Sequence, residues 1–165
     1  MGAGFRTRGT HFTVALMASA ALAQGIFAQA PPAGSGPIDF SGYVRVIEGD
    51  TVEVYINGHQ TGIGIVGIKA PAGNTECGRL AIAFLQELLS SNQVRLEEDP
   101  VTPAFDARKR RMFRLVLPDK RSAAIAMAEA GLVDSTGQGI EANDLAAAVG
   151  RAHAANPACL GRGAR

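Results

Sequence analysis

Between residues 43 and 68, apolar and polar positions alternate in three short runs, YVRVIEG, TVEVYIN and TGIGIVGI, with the period of two that half-buried strands show. Gly49-Asp50 separates the first two runs and Asn57-Gly58 the next two. The second pair is a strong signal for a two-residue hairpin, so the three runs predict an antiparallel meander. The period then changes. In ECGRLAIAFLQELLSS the positions Leu80, Ala83, Phe84 and Leu88 recur at helical spacing, which predicts a helix over about 76–91 with these residues as its apolar face. Alternation returns in QVRLEED and, after a proline-containing loop, in RRMFRLVLP. Two alanine-rich helices complete the pattern. SAAIAMAEAGLV is stopped by Gly131, and EANDLAAAVGRAHAAN ends before Pro157 and opens on the capping residues Glu141, Asn143 and Asp144.

Three strands, a helix, two strands and two helices describe an α+β chain. Five strands with an inserted helix suit a five-stranded Greek-key β-barrel of the oligonucleotide/oligosaccharide-binding (OB) type, with about three flanking helices. At 165 residues the chain holds one such domain with extensions, and no internal repeat interrupts it. Residues 1–30 differ from the rest. Arg6, Arg8 and His11 precede an apolar run without acids that ends in Ala28-Gln29-Ala30, the make-up of a secretory signal cleaved after Ala30. If it is retained, residues 12–30 approach the roughly 20 needed to anchor the chain in a membrane. The domain plan is therefore 1–30 signal or anchor, 31–41 a Pro/Gly/Ser-rich linker, 42–160 the folded domain and 161–165 a tail. Localisation is expected to be exported, periplasmic or extracellular.

Charge and cysteines narrow the picture. Loss of residues 1–30 removes two arginines and no acids, taking the net charge from +1 to about −1, so a globally basic nucleic-acid binder is not expected. The two cysteines, Cys77 and Cys159, have no metal-ligand spacing and are expected to form a disulfide in an oxidising compartment. Closing a loop of about 80 residues is worth on the order of 4 kcal/mol in the chain-entropy picture.

Three ordered motifs, VIEGDTVEV, GIVGIKAP and DARKRRMFRLVL, resemble those of the thermonuclease (staphylococcal nuclease-like) family, and the resemblance spans about residues 42–155. It implies an OB barrel that hydrolyses DNA and RNA phosphodiesters on its surface with a calcium ion, a hard cation held by carboxylate oxygens. Family members read V-x-D-G-D-T, R-L-x-G-I-D-A-P-E and D-x-Y-G-R. By that pattern Asp50 and Thr51 stand at metal-site positions, with Glu48 where many members carry another aspartate. In the second motif Gly64 replaces the phosphate-binding arginine, Lys69 a metal-ligand aspartate and Ala72 the general-base glutamate. In the third, Asp106 and Arg110 match, while Arg108-Lys109 replaces Tyr-Gly. The resemblance thus implies a degraded catalytic set, with Arg110 as a vestigial phosphate clamp and no cofactor unless enough of the ancestral site survives to hold calcium.

Lys69 has two readings: an ammonium paired with Asp50 in place of a metal, or a solvated strand-end lysine. Arg108, Arg110 and Arg114 could form a phosphate-binding stripe on nucleic acid, or a solvated strand edge that opposes aggregation. Few aromatics accompany them for base stacking: Tyr43, Tyr55, Phe105 and Phe113. His59 and His153 have no evident partner and read as surface or packing residues, and no nucleophile constellation or small-molecule motif stands out. The expectation is an exported thermonuclease-like domain without catalysis, acting as a binding or structural module for an unknown protein partner or membrane complex. A calcium-dependent nuclease and a non-cleaving nucleic-acid binder are the alternatives.

Overall fold

The computed structural model describes Met1 and residues 38–39, 45–56, 58–91, 93–155 and 159, which, Met1 aside, fall in the compact unit Pro31–Arg165. The expected export segment at 2–30, Tyr43 and the tail at 161–165 lie outside the described residues. No described helix is long and apolar enough to cross a membrane.

The chain is α+β. Strands β1 (Ile38–Asp39), β2 (Arg45–Glu48), β3 (Thr51–Ile56), β4 (His59–Ile65), β6 (Arg95–Glu97) and β7 (Arg111–Val116) form one mixed sheet in the order β1-β6-β7-β4-β3-β2. All neighbours are antiparallel except β4 and β7, which run parallel. The chain between these two supplies the crossover that a parallel pair needs: β5 (Ile68–Lys69), helix α1 (Glu76–Leu88) and β6. Helices α2 (Ala123–Glu129) and α3 (Ala142–Ala155) follow, with β8 (Asp134–Ser135) between them pairing β5 in a separate two-stranded sheet.

The meander forms as the alternation predicts. Ile56 and His59 face each other across a two-residue turn in which Gly58 has φ 77°, a conformation costly for other residues. Three expectations change. The main sheet is not closed into a barrel, because its outermost strands β1 and β2 pair only inward. The run 61–68 is not one strand: Val66-Gly67 forms a turn with Gly67 at φ 82°, and Ile68–Lys69 leaves to pair with β8. Ile38–Asp39, which composition places in a linker, pairs with β6.

The core lies between the sheet and the helices. Val52, Val54, Ile63, Ile65, Leu96, Phe113 and Leu115 come from the sheet and Leu85, Met127 and Leu145 from the helices, all essentially without exposure. Each large side chain so buried contributes about 1.5–3 kcal/mol. The face of α1 is rotated from the expected one. Gly78, Ala81 and Leu85 are buried, Phe84 and Leu88 only partly, while Leu80 is 50% exposed. Where the helix meets the β2–β3 turn the contact is made by the small Ala81 against Gly49.

Candidate functional site

Asp50 is the second residue of the turn between β2 and β3, reached through a β-bulge at Ile47 that shifts the register from Val46↔Val52 to Glu48↔Thr51. The preceding Gly49 determines where this turn sits. A Cβ there would stand 2.6 Å from Ala81 Cβ on α1 and 2.8 Å from Ala70 Cβ after β5, so only glycine allows the approach. Docked in this way, the Asp50 carboxylate accepts the Ala70 amide at 3.1 Å on Oδ2 and the Thr51 hydroxyl at 2.8 Å on Oδ1. Its own carbonyl accepts the Ile65 amide at 2.9 Å.

Arg110 approaches from the loop before β7. Asp106 organises this loop: its Oδ1 accepts the amides of Arg108 at 2.9 Å and Arg110 at 2.8 Å, and its Oδ2 accepts Arg110 Nε at 2.7 Å. Arg110 Nη1 then donates to the Thr51 hydroxyl and lies 3.9 Å from Asp50 Oδ1. One guanidinium therefore joins two carboxylates and a hydroxyl from two parts of the chain. Burial alone would push the Asp106 carboxyl up. The amide and guanidinium of Arg110 and the Arg108 amide outweigh it and hold the group below the usual carboxylate range.

Gly64 completes a row across the sheet, paired with Thr51 on one side and Met112 on the other. A Cβ on it would meet Met112 Sδ at 2.5 Å and stand 3.8 Å from Arg110 Cζ, so a side chain here would run beside the guanidinium in space the Met112 thioether fills. The five positions 50, 51, 64, 106 and 110 are thus brought together. Lys69 and Ala72 are not part of the polar cluster. Side chains alternate along β5, so with Ile68 buried Lys69 is exposed: of its two readings, the pair with Asp50 is not formed and the solvated strand-end lysine is what the structure shows. The cation beside Asp50 is Arg110. Ala72 is exposed and serves the entry to α1, its carbonyl accepting the Thr75 amide at 2.9 Å and hydroxyl at 2.7 Å. Glu48, half-buried, ends β2.

A calcium ion takes six to eight oxygens. Here both oxygens of Asp50 and both of Asp106 accept hydrogen bonds, and a guanidinium already stands against the two groups. Among the described residues, no group of three or more His, Cys, Asp or Glu side chains is placed to hold a metal. The carboxylates described around that guanidinium are two, Asp50 and Asp106.

The basic positions do not make one stripe. Arg108 and Lys109 sit in the loop, exposed, next to Phe105, which is 59% exposed. Arg114 is bound internally, at 3.2 Å to Glu97 and 2.7 Å to Glu141, and Arg111 pairs with Glu98 and covers the Phe113 ring. Glu141 also accepts the Ser122 hydroxyl at 2.7 Å, so it ties α2 and β7 together just ahead of α3. Phe113 is core and Tyr55 is exposed; His59 and His153 are exposed as well. Cys77 and Cys159 form the expected disulfide, with Cα atoms 5.4 Å apart. Sequence reasoning missed Met112, whose role depends on the parallel β4–β7 register, and Asp99. Asp99 is a buried acid accepting the amides of Val101, Thr102 and Ile140 at 3.0, 3.0 and 2.9 Å, and no periodicity marks it. No known family model matches the chain, and no curated protein matches it.

Proposed function

We propose that this chain is an exported thermonuclease-like domain that no longer catalyses phosphodiester hydrolysis and serves as a binding or structural module, for example an accessory subunit of a membrane complex. One observation carries the reading. The positions that the three motifs align with a phosphodiesterase site converge on a single guanidinium, while those that should supply the second metal ligand and the base hold an exposed lysine and an exposed alanine.

Two features support the underlying family and its OB barrel. Lys109 stands where the family carries glycine, and its φ of 61° is the conformation that favours glycine. The order β2-β3-β4-β7-β6, with β4 and β7 parallel, is that of a five-stranded Greek-key barrel opened at one seam. β1 and β2, at opposite edges of the sheet, are separated in sequence only by residues 40–44.

The deciding experiment is digestion of plasmid DNA and RNA with and without calcium. No cleavage above background is expected; metal-dependent cleavage abolished by Asp50→Ala would overturn the reading. Restoration is the converse test. Gly64→Arg, Lys69→Asp and Ala72→Glu should raise calcium affinity once Met112→Ala clears the space beside Gly64, and no gain would mean that the second motif is misaligned.

The exposed Phe105, Arg108 and Lys109 in one loop favour a second reading, nucleic-acid binding without cleavage. A filter-binding titration against salt separates the two. Phosphate contacts give a steep slope, and a weak, flat response leaves the protein-binding module.

A further inference from the structure

We propose that the Cys77–Cys159 disulfide is a redox lock on the Asp50 cluster, closed when oxidised and loosened when reduced. Cys77 lies in the first turn of α1, behind the Thr75 cap whose hydroxyl accepts the Gly78 amide at 3.0 Å. The disulfide ties this turn to Cys159, beyond the end of α3 and 82 residues away in sequence.

The same two turns of α1 form the wall behind the site. Gly78 packs so tightly on the Ala72 carbonyl that no Cβ fits between them, and one turn further on Ala81 meets Gly49 of the Asp50 turn. Ala70, which also touches Gly49, donates its amide to Asp50. A continuous run of close contacts therefore leads from the disulfide to the carboxylate. These contacts are made by glycines and alanines, so a small outward shift of the first turn of α1 undoes them, with no long side chain to follow the movement.

Opening the lock requires a dithiol reductant. One of its thiolates attacks a sulfur of the bridge, forms a mixed disulfide and releases one cysteine. Its second thiol then closes the reductant's own disulfide and releases the other. Two electrons and two protons pass to Cys77 and Cys159, and the dithiol is oxidised by the same amount. Loss of the bridge returns the chain-entropy contribution of a long loop to the unfolded state and leaves the first turn of α1 held by packing and its cap alone. The inference rests on this geometry and holds whatever the domain's ancestry.

Amide hydrogen exchange of the exported chain, read by NMR at Ala70 and at core strand residues Leu96 and Phe113, tests it. On reduction with dithiothreitol, protection at Ala70 should fall at least ten-fold more than at Leu96 and Phe113, and reoxidation should restore it. The Cys77→Ser/Cys159→Ser double variant should resemble the reduced protein under both conditions. If Ala70 keeps its protection, or loses it only in proportion to the core amides, the disulfide merely staples the C-terminal end and the lock is refuted. Reduced wild-type protein gives the same readout should the double variant fail to fold.

Discussion

Arg110 is the residue on which the local structure depends most, because its side chain satisfies Asp106, Thr51 and Asp50 at once. Arg110→Met keeps much of the apolar stem and removes the charge, leaving two partly buried carboxylates without their cation. Loss of charge-assisted hydrogen bonds of this kind costs about 2 kcal/mol, which urea denaturation would register as a lower midpoint at unchanged slope. Lys109 shifts the balance the other way. It occupies the left-handed region at φ 61° in an exposed loop whose turn is set by Asp106. A left-handed conformation costs a side chain about 1–2 kcal/mol, and glycine returns part of this through its freer unfolded state. Lys109→Gly should therefore raise stability by about 1 kcal/mol in the same assay. The backbone itself supplies the reason a glycine would suit position 109.

At the scale of elements, α1 sets how the site is assembled, and it also shows what periodicity reveals and what it misses. The helix begins at Glu76 as the helical spacing predicts and ends at Leu88, short of the expected limit of about 91. Its buried face was only partly legible from large apolar residues, since Leu80 lies at the surface and, beside the buried Leu85, the closest contacts are made by Gly78 and Ala81. A hydrophobic pattern weights residues by size, while this interface selects for smallness. Gly78→Ala distinguishes the two demands. Helix propensity alone predicts a gain of up to about 1 kcal/mol in a helix interior. The Ala72 carbonyl leaves no room for the methyl, so a net loss of about 2 kcal/mol is expected from overpacking, measured by thermal or urea unfolding of the oxidised protein. The short β5–β8 sheet was equally hidden. Two residues per strand are too few for alternation to register, and the pairing Lys69↔Asp134 depends on tertiary placement.

Across the whole molecule, the order of β2, β3, β4, α1, β6, β7, α2 and α3 was legible because each of these declares itself within a dozen residues. The long-range polar ties were not, because they join residues far apart in the chain. Arg114 and Glu141 are separated by 27 positions, Asp99 and Ile140 by 41. Asp99 fastens the loop after β6 to the start of α3 through the amides of Ile140, Val101 and Thr102. Burial pushes its carboxyl up, and these amide bonds outweigh that, so its folded pKa lies below the usual value. Asp106 is depressed as well, through Arg110 and Arg108. A carboxylate lowered by folding contributes stability in full above its unfolded pKa, near 4, and loses it as the pH falls through the folded value. Unfolding free energy should thus hold steady from neutral pH down to about 5 and decline as the pH falls below about 4, the unfolded value, and urea titrations at a series of pH values would follow it. Asp99→Asn separates this carboxylate from the rest. An amide oxygen accepts these amides less strongly than a carboxylate does, and the buried NH2 group needs an acceptor of its own, so stability at pH 7 should drop by about 2 kcal/mol. The variant should also show a shallower acid decline, because one of the depressed groups no longer titrates. An acid slope identical to that of the wild type would mean that Asp99 is protonated at the same pH folded and unfolded, and that its three amide bonds hold the loop without favouring its charge.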